Sequence, residues 1–153
     1  MKILLVSDTH GDNESLESLV KQYPKMDLYL HAGDSQSDEY SLYPFVSVEG
    51  NCDYYDFDEK YRRLTPTGYL LMKHRTFFTD KEIKDNKILI HGHTHQFRIS
   101  VDGATIFVCP GSLTLPRDGS NGSYAILTLE EGKGNIIIYD KKTKSILTKY
   151  EIR

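Results

Sequence analysis

Lys87-Ile88-Leu89-Ile90-His91-Gly92-His93-Thr94-His95 is the stretch on which the fold turns. Its apolar run is short and bounded by glycine, so it reads as a buried strand with histidines standing at its end. Gly92 lets the backbone turn without a Cβ penalty. His93 and His95, two residues apart, point to one side if the chain stays extended. Two imidazoles at a strand end make half a metal site, and the other half must come from elsewhere in the chain.

Toward the amino terminus the same design repeats. Residues 2–6 form an apolar strand that gives way to Ser7-Asp8-Thr9-His10-Gly11-Asp12. Asp12 or Asn13 caps a helix whose Leu16, Leu19, Val20 and Tyr23 share one face. Glu14 and Glu17 come early and Lys21 late, as the helix dipole favours, and Pro24 ends the helix. A second strand, Asp27 to His31, runs into Ala32-Gly33-Asp34. This β-turn-α-β order argues for parallel strands with a right-handed crossover. Ser35 to Tyr43 is polar with room for a short helix, and Phe45 to Val48 is a third strand ending in Glu49-Gly50-Asn51-Cys52-Asp53. Successive strands thus stop at glycine-bearing loops with carboxylate or amide side chains. In an open α/β sheet, ligands collect outside the carboxyl ends of the strands.

The second half changes character. Lys60 to Leu64 and Tyr69 to Lys73 flank a Thr65-Pro66-Thr67-Gly68 turn, and Asp80 to Lys87 has room only for a brief loop. Phe97 to Val101 and Ala104 to Val108 flank Asp102-Gly103, a two-residue hairpin signal. Tyr124 to Leu129 and Asn135 to Tyr139 flank Glu130-Glu131-Gly132-Lys133-Gly134. Ser145 to Ile152 alternates, placing Ile146, Thr148, Tyr150 and Ile152 on one face. One domain spanning residues 1–153, with two sheets packed together, fits this order.

Composition narrows the function. The chain has 153 residues, 27% of them charged and 39% hydrophobic, which suits a soluble globular domain. A net charge of −3 and the lack of a basic stripe argue against a sequence-specific nucleic-acid partner. An anionic substrate would then need bound cations to attract it. The apolar run at residues 2–6 is too short for a signal peptide or a membrane span, so no membrane partner and a cytoplasmic location are expected. Cys52 and Cys109 have no CxxC spacing and are expected as free thiols.

The residues able to ligate metal are Asp8 and His10, Asp34, Asn51, His74, and His93 and His95. Gly-Asp and Gly-Asn are common turn dipeptides, so each motif alone is weak. Together they mix oxygen and imidazole donors, which suits Mn²⁺, Fe or Zn²⁺ better than Ca²⁺. The lack of thiolates argues against a structural zinc knuckle.

Asp8-Thr9-His10, Gly33-Asp34, Gly50-Asn51 and Gly92-His93-Thr94-His95, in that order, resemble the motif set of the calcineurin-like metallophosphoesterases. Cys52-Asp53, the short chain, and Pro110-Gly111-Ser112 followed by Pro116-Arg117 resemble the superfamily's small YfcE-type phosphodiesterase group. The resemblance implies an α/β fold, a four-layer αββα sandwich of two mixed β-sheets flanked by helices. The metal site would lie at the carboxyl ends of strands. By position, Asp8, His10 and His95 would hold one divalent ion, and Asn51, His74 and His93 a second. Asp34 would bridge them. Mn²⁺ is the first expectation, with Fe, Zn²⁺, Ni or Mg²⁺ as alternatives. A hydroxide shared by two ions roughly 3.5–4 Å apart would attack phosphorus in line. Asn51 and His74 would serve catalysis by placing the second ion. The expected partner is a small phosphate-ester substrate, a diester before a monoester; whether the chain forms a homo-oligomer is left open.

Several positions depart from that pattern or remain divided. Cys52 stands where larger members carry a histidine, which leaves the general acid unassigned. His74 lies in Lys73-His74-Arg75-Thr76 where relatives usually show His-Gly-His, so it is either a ligand or a solvated loop histidine. Arg117 either grips substrate phosphate through its planar fork or makes a structural contact. His31 and His91 precede motif residues on their strands and suit supporting or core roles. A rival of another class is a scaffold on the same fold that has lost catalysis, as the small retromer subunit has in eukaryotes.

Overall fold

Alternate residues of the first strand divide the molecule. In β1 (Lys2–Val6), Ile3 and Leu5 face one way and Leu4 and Val6 the other, yet all four are fully buried. A strand with no solvated face must lie in a sheet covered on both sides. The computed structural model, which describes residues 1–153, supplies both covers.

In chain order the remaining elements are α1 (Asn13–Gln22), β2 (Leu28–His31), α2 (Glu39–Leu42), β3 (Phe45–Ser47), β4 (Lys60–Thr65) and β5 (Gly68–Lys73). They continue with α3 (Asp80–Asp85), β6 (Ile88–Ile90), β7 (Phe97–Asp102), β8 (Thr105–Pro110), β9 (Ser123–Glu130), β10 (Lys133–Asp140) and β11 (Ile146–Ile152). One sheet has the order β11-β10-β9-β1-β2-β3 and the other β4-β5-β6-β8-β7. Both are mixed: β1, β2 and β3 run parallel, as do β5, β6 and β8, while the remaining pairs are antiparallel.

The main core fills the space between the sheets. Ile3, Leu5 and Leu30 of the first meet Leu70, Met72, Ile88, Ile90, Ile106 and Val108 of the second. On the first sheet's outer face, Leu4, Val6, Tyr29 and Phe45 pack under Leu16 and Leu19 of α1 and Leu42 of α2. On the second sheet's outer face, Leu71 and Leu89 lie with Phe78, just before α3, and with Ile83 on it. The result is the four-layer αββα arrangement, with thin helical layers. No helix is long and apolar enough to cross a membrane.

Four local expectations need correction. Asp80 to Lys87 is not merely a loop: Thr79 accepts the Glu82 N–H and Glu82 accepts the Thr79 N–H, a capping box that starts α3. The β7–β8 turn is Gly103-Ala104 rather than Asp102-Gly103, since Asp102 pairs with Thr105. Gly103, at φ +59°, supplies the left-handed conformation that a two-residue hairpin needs at its first central position. The β9–β10 turn narrows to Glu131-Gly132, because Glu130 pairs with Lys133. On β11, Ile138 pairs with Thr148 but Tyr139 with Ile146, so Leu147 bulges out of register. The bulge turns Leu147 toward the core and leaves Ile146 exposed.

This layering predicts unequal costs on the two faces of the second sheet. Ile90→Ala, between the sheets, is expected to cost about 3 kcal/mol in chemical denaturation. Thr79→Ala, which removes only the α3 cap, should cost about 1 kcal/mol. Equal losses would contradict the placement of the main core.

Candidate metal centre

The site is built from strand ends of both sheets. Asp8 and His10 follow β1, Asp34 follows β2, Asn51 follows β3, His74 follows β5, and His93 and His95 follow β6. Backbone hydrogen bonds join these loops: the Asp8 N–H donates to Gly33 O, the His10 N–H to Asp34 O, and the Gly92 N–H to His74 O. Every side chain singled out in the sequence as a ligand therefore converges at one end of the sandwich.

Five of these residues are left-handed. Asp8, His10, Asp34, His93 and His95 have φ of 54°, 45°, 60°, 72° and 59°. Each such residue costs on the order of 1 kcal/mol or more and persists only where its surroundings hold it. The Asp53 carboxylate is one such holder, accepting the N–H groups of Asp34 at 3.0 Å, Gln36 at 2.8 Å and Gly50 at 2.7 Å. Ser112 is another: its hydroxyl donates to Asp8 O at 2.8 Å and accepts the Leu115 N–H at 2.8 Å. Two glycines are required by close approach. A Cβ on Gly50 would lie 2.1 Å from Asp34 Oδ1, and one on Gly92 would lie 2.1 Å from Ser7 Oγ and 2.8 Å from Asp8 Oδ2.

The left-handed turns also revise the reading of His93 and His95. An extended chain would aim both to one side, but these two face different partners. His95 Nε2 lies 3.4 Å from both Asp8 Oδ1 and His10 Nε2. His93 Nδ1 lies 3.1 Å from Asn51 Oδ1, which is also 3.0 Å from His74 Nε2. Asp34 sits between the two groups, its Oδ2 3.3 Å from His74 Nε2 and 4.0 Å from His10 Nε2. His74 is only 2% exposed, so the solvated alternative for it is ruled out.

Tautomers follow from the outer contacts. His74 Nδ1 lies 2.8 Å from Ala32 O and His95 Nδ1 lies 2.7 Å from Leu115 O. A carbonyl only accepts, so each Nδ1 carries the hydrogen and donates it. His10 Nδ1 faces Gln36 Oε1 at 2.8 Å in the same sense. With Nδ1 committed outward, all three rings present Nε2 inward, toward one another and toward the carboxylate oxygens of Asp8 and Asp34. Asp8 Oδ1, buried among them, has no hydrogen-bond partner at all. A carboxylate oxygen left unpartnered out of water is costly unless positive charge sits beside it. Donor atoms of Asp8, His10 and His95 lie mutually within 4.8 Å, as do those of Asp8, Asp34 and His74, and of His10, Asp34 and Cys52.

Asp34 and His74 favour each other's charged forms. Burial works to raise the Asp34 pKa, but the His74 hydrogen bond and the Cys52 N–H pull it down to about 2. Burial works to lower that of His74, yet Asp34 and Asp8 hold it above its ordinary value. Burial and the Asp34 carboxylate push the Cys52 thiol up, so it stays protonated at neutral pH.

Around this centre lie residues with supporting positions. His31 is wholly buried: it accepts the Gly33 N–H at Nδ1, 3.0 Å, and so donates from Nε2 to Thr9 Oγ1, 2.8 Å. His91 Nδ1 reaches Gly92 O at 2.9 Å and its ring lies by Phe78. Arg117 donates its backbone N–H to His95 O at 2.9 Å, but its side chain is exposed and forms no ion pair. Gln36, Asp53 and Ser112 were not singled out by sequence reading as holders of ligands. Asp53, three residues after Gly50, and Ser112, after Pro110-Gly111, stood in turn signals, while Gln36 carried none.

A model of the calcineurin-like phosphoesterase superfamily domain matches residues 1–132. The chain belongs to that superfamily. A probable metallophosphoesterase of Bacillus subtilis, YsnB, is 30% identical over 161 aligned positions, covering 95% of each chain. Among solved structures, the phosphoesterase YfcE from E. coli superposes with a TM-score of 0.81 at 21% identity, over all of both chains. Vps29 of Entamoeba histolytica, solved with Zn²⁺, gives a TM-score of 0.74 at 20% identity over 99% of this chain and 98% of its own. At such identities the last two speak for the fold. The family and the gathered donors together make this a phosphoesterase fold with a metal-binding site.

His31 gives a prediction for pH. Burial, with the charge of His74 adding to it, pushes its pKa from 6.5 down to about 3. The unfolded chain then binds the proton more readily, so the stability from neutral His31 is complete above pH 6.5 and drains away as pH falls toward 3. The slope is at most about 1.4 kcal/mol per pH unit. In metal-free protein, His31→Gln should flatten the pH dependence of urea unfolding across that window. An unchanged slope would contradict the neutral tautomer assigned here.

Proposed function

We propose that the chain is a metal-dependent phosphodiesterase acting through two divalent cations, Mn²⁺ first among them. The observation that carries this is the partnerless Asp8 Oδ1, buried where imidazole nitrogens converge. Asp8, His10 and His95 would hold one cation, Asn51, His74 and His93 the other, and Asp34 both. When bound, such a pair supplies charge to neutralise a phosphate and to activate water.

The chain's own residues do the rest. Outer hydrogen bonds to Ala32 O, Leu115 O and Gln36 fix the rings of His74, His95 and His10, so the donor atoms are already aimed. Asn51 contributes a neutral oxygen, which limits the negative charge set against the substrate. Cys52, a thiol at neutral pH, is a poor substitute for the imidazolium that could serve as general acid. Activated leaving groups should therefore react best. Arg117, whose backbone is bound to His95 O, belongs to this reading as a substrate-binding residue for the phosphate. Residues 1–153 act as one metallophosphoesterase domain, and two free cysteines suit a cytoplasmic setting.

One observation favours a second reading, a binding module on the same fold. Tyr40 and Tyr43, at 91% and 84% exposed, stand at α2 beside the β3 edge, away from any core. Such aromatics suit a docking face.

Hydrolysis of bis(p-nitrophenyl) phosphate with added Mn²⁺ tests the first reading. Asp34→Asn should lower both metal uptake and turnover by roughly a hundredfold or more, since even supporting residues of metal sites are worth 10–100-fold. Unchanged uptake and no hydrolysis by either protein would favour the binding module.

A further inference from the structure

Beside the second half of the site, a cleft of about 380 Å³ is lined by Asn51 and His74 together with Glu49, Glu59, Lys73, Arg75 and Phe77. Its cations differ in their commitments. Lys73 is tied to Glu82 at 3.0 Å, whereas Arg75 is exposed and has no carboxylate partner. Arg75 follows His74 directly and lines the cleft beside it. Phe77 is 72% exposed on the same wall, a large apolar ring with no part in any of the cores. The two carboxylates, Glu49 and Glu59, oppose any second negative charge in the cleft.

These features divide a ligand into parts. An unpaired guanidinium next to the phosphate position presents a planar fork that fits two phosphate oxygens. An exposed ring offers a face to another ring. Flanking carboxylates disfavour a dianion, and so a monoester, relative to a monoanionic diester.

We propose that this cleft seats one arm of a phosphodiester, with Arg75 on the phosphate oxygens and Phe77 against a ring on that arm. The substrate class is then a monoanionic diester with an aryl or nucleoside-like substituent. The inference rests on the phosphodiesterase reading and adds the residues that choose the substrate.

Calorimetric binding to the full-length, Mn²⁺-loaded protein tests it with two diester mimics, methyl phenylphosphonate and methyl methylphosphonate. They carry the same charge and differ in one arm. Wild type should bind the phenyl compound about fivefold more tightly, a typical gain for a ring pair. Phe77→Ala should abolish that preference and leave the methyl compound unaffected. Arg75→Gln should weaken both by about tenfold, the scale of a charge-assisted hydrogen bond. Both side chains are exposed, so an unchanged thermal midpoint will show that the variants fold. Equal binding of the two mimics by wild type, a preference surviving Phe77→Ala, or full affinity in Arg75→Gln would overturn the inference alone. Binding of neither mimic by wild type would overturn the phosphodiesterase reading beneath it as well.

Discussion

Carboxylate oxygens and ring nitrogens gathered out of reach of water, with Asp8 Oδ1 left unpartnered, are the constraint on which this structure depends. Asp8, Asp34 and the inward nitrogens of His10, His74 and His95 occupy a space that their own chemistry would empty. What keeps them there is the rest of the fold. Two sheets share one apolar core and bring their parallel strands to a common end, where the loops are tied to one another by backbone hydrogen bonds. The left-handed conformations at Asp8, Asp34 and His95 would relax in an isolated loop. Here Asp53, Ser112 and the close-packed glycines leave no room to do so.

Stability and chemistry therefore pull against each other at one end of the molecule. The core between the sheets is continuous and uniformly apolar, and its burial supports the strained, polar cluster at the strand ends. A divalent cation reverses the sign of the local problem: oxygen and nitrogen lone pairs that repel each other become ligands. Metal uptake and folding are thus linked, since anything that binds only the native site stabilises it.

Much of this was legible in the sequence, and the reasons are local. Strands such as Ile88–Ile90 and the capped, amphipathic α1 announce themselves by periodicity, and the ligand motifs stand at strand ends where polarity changes abruptly. What stayed hidden depends on contacts between distant segments. Gln36 holding His10, Asp53 knitting the Asp34 and Gly50 loops, and Ser112 steadying Asp8 involve groups far apart along the chain. Single-residue register was likewise invisible: the Leu147 bulge and the Gly103-Ala104 turn are set by pairing partners rather than by composition. His74 was the divided case. Its neighbours Lys73 and Arg75 read as a solvated loop, while Ala32 O, in the other sheet's strand-end loop, draws its ring inward.

In the proposed function one chain holds two cations close together through a shared Asp34. Electron paramagnetic resonance of the protein titrated with Mn²⁺, alongside elemental analysis, addresses it directly. Two ions per chain with the broadened spectrum of an exchange-coupled pair is the predicted result. A single ion per chain with the spectrum of isolated Mn²⁺, or no bound metal, would contradict it.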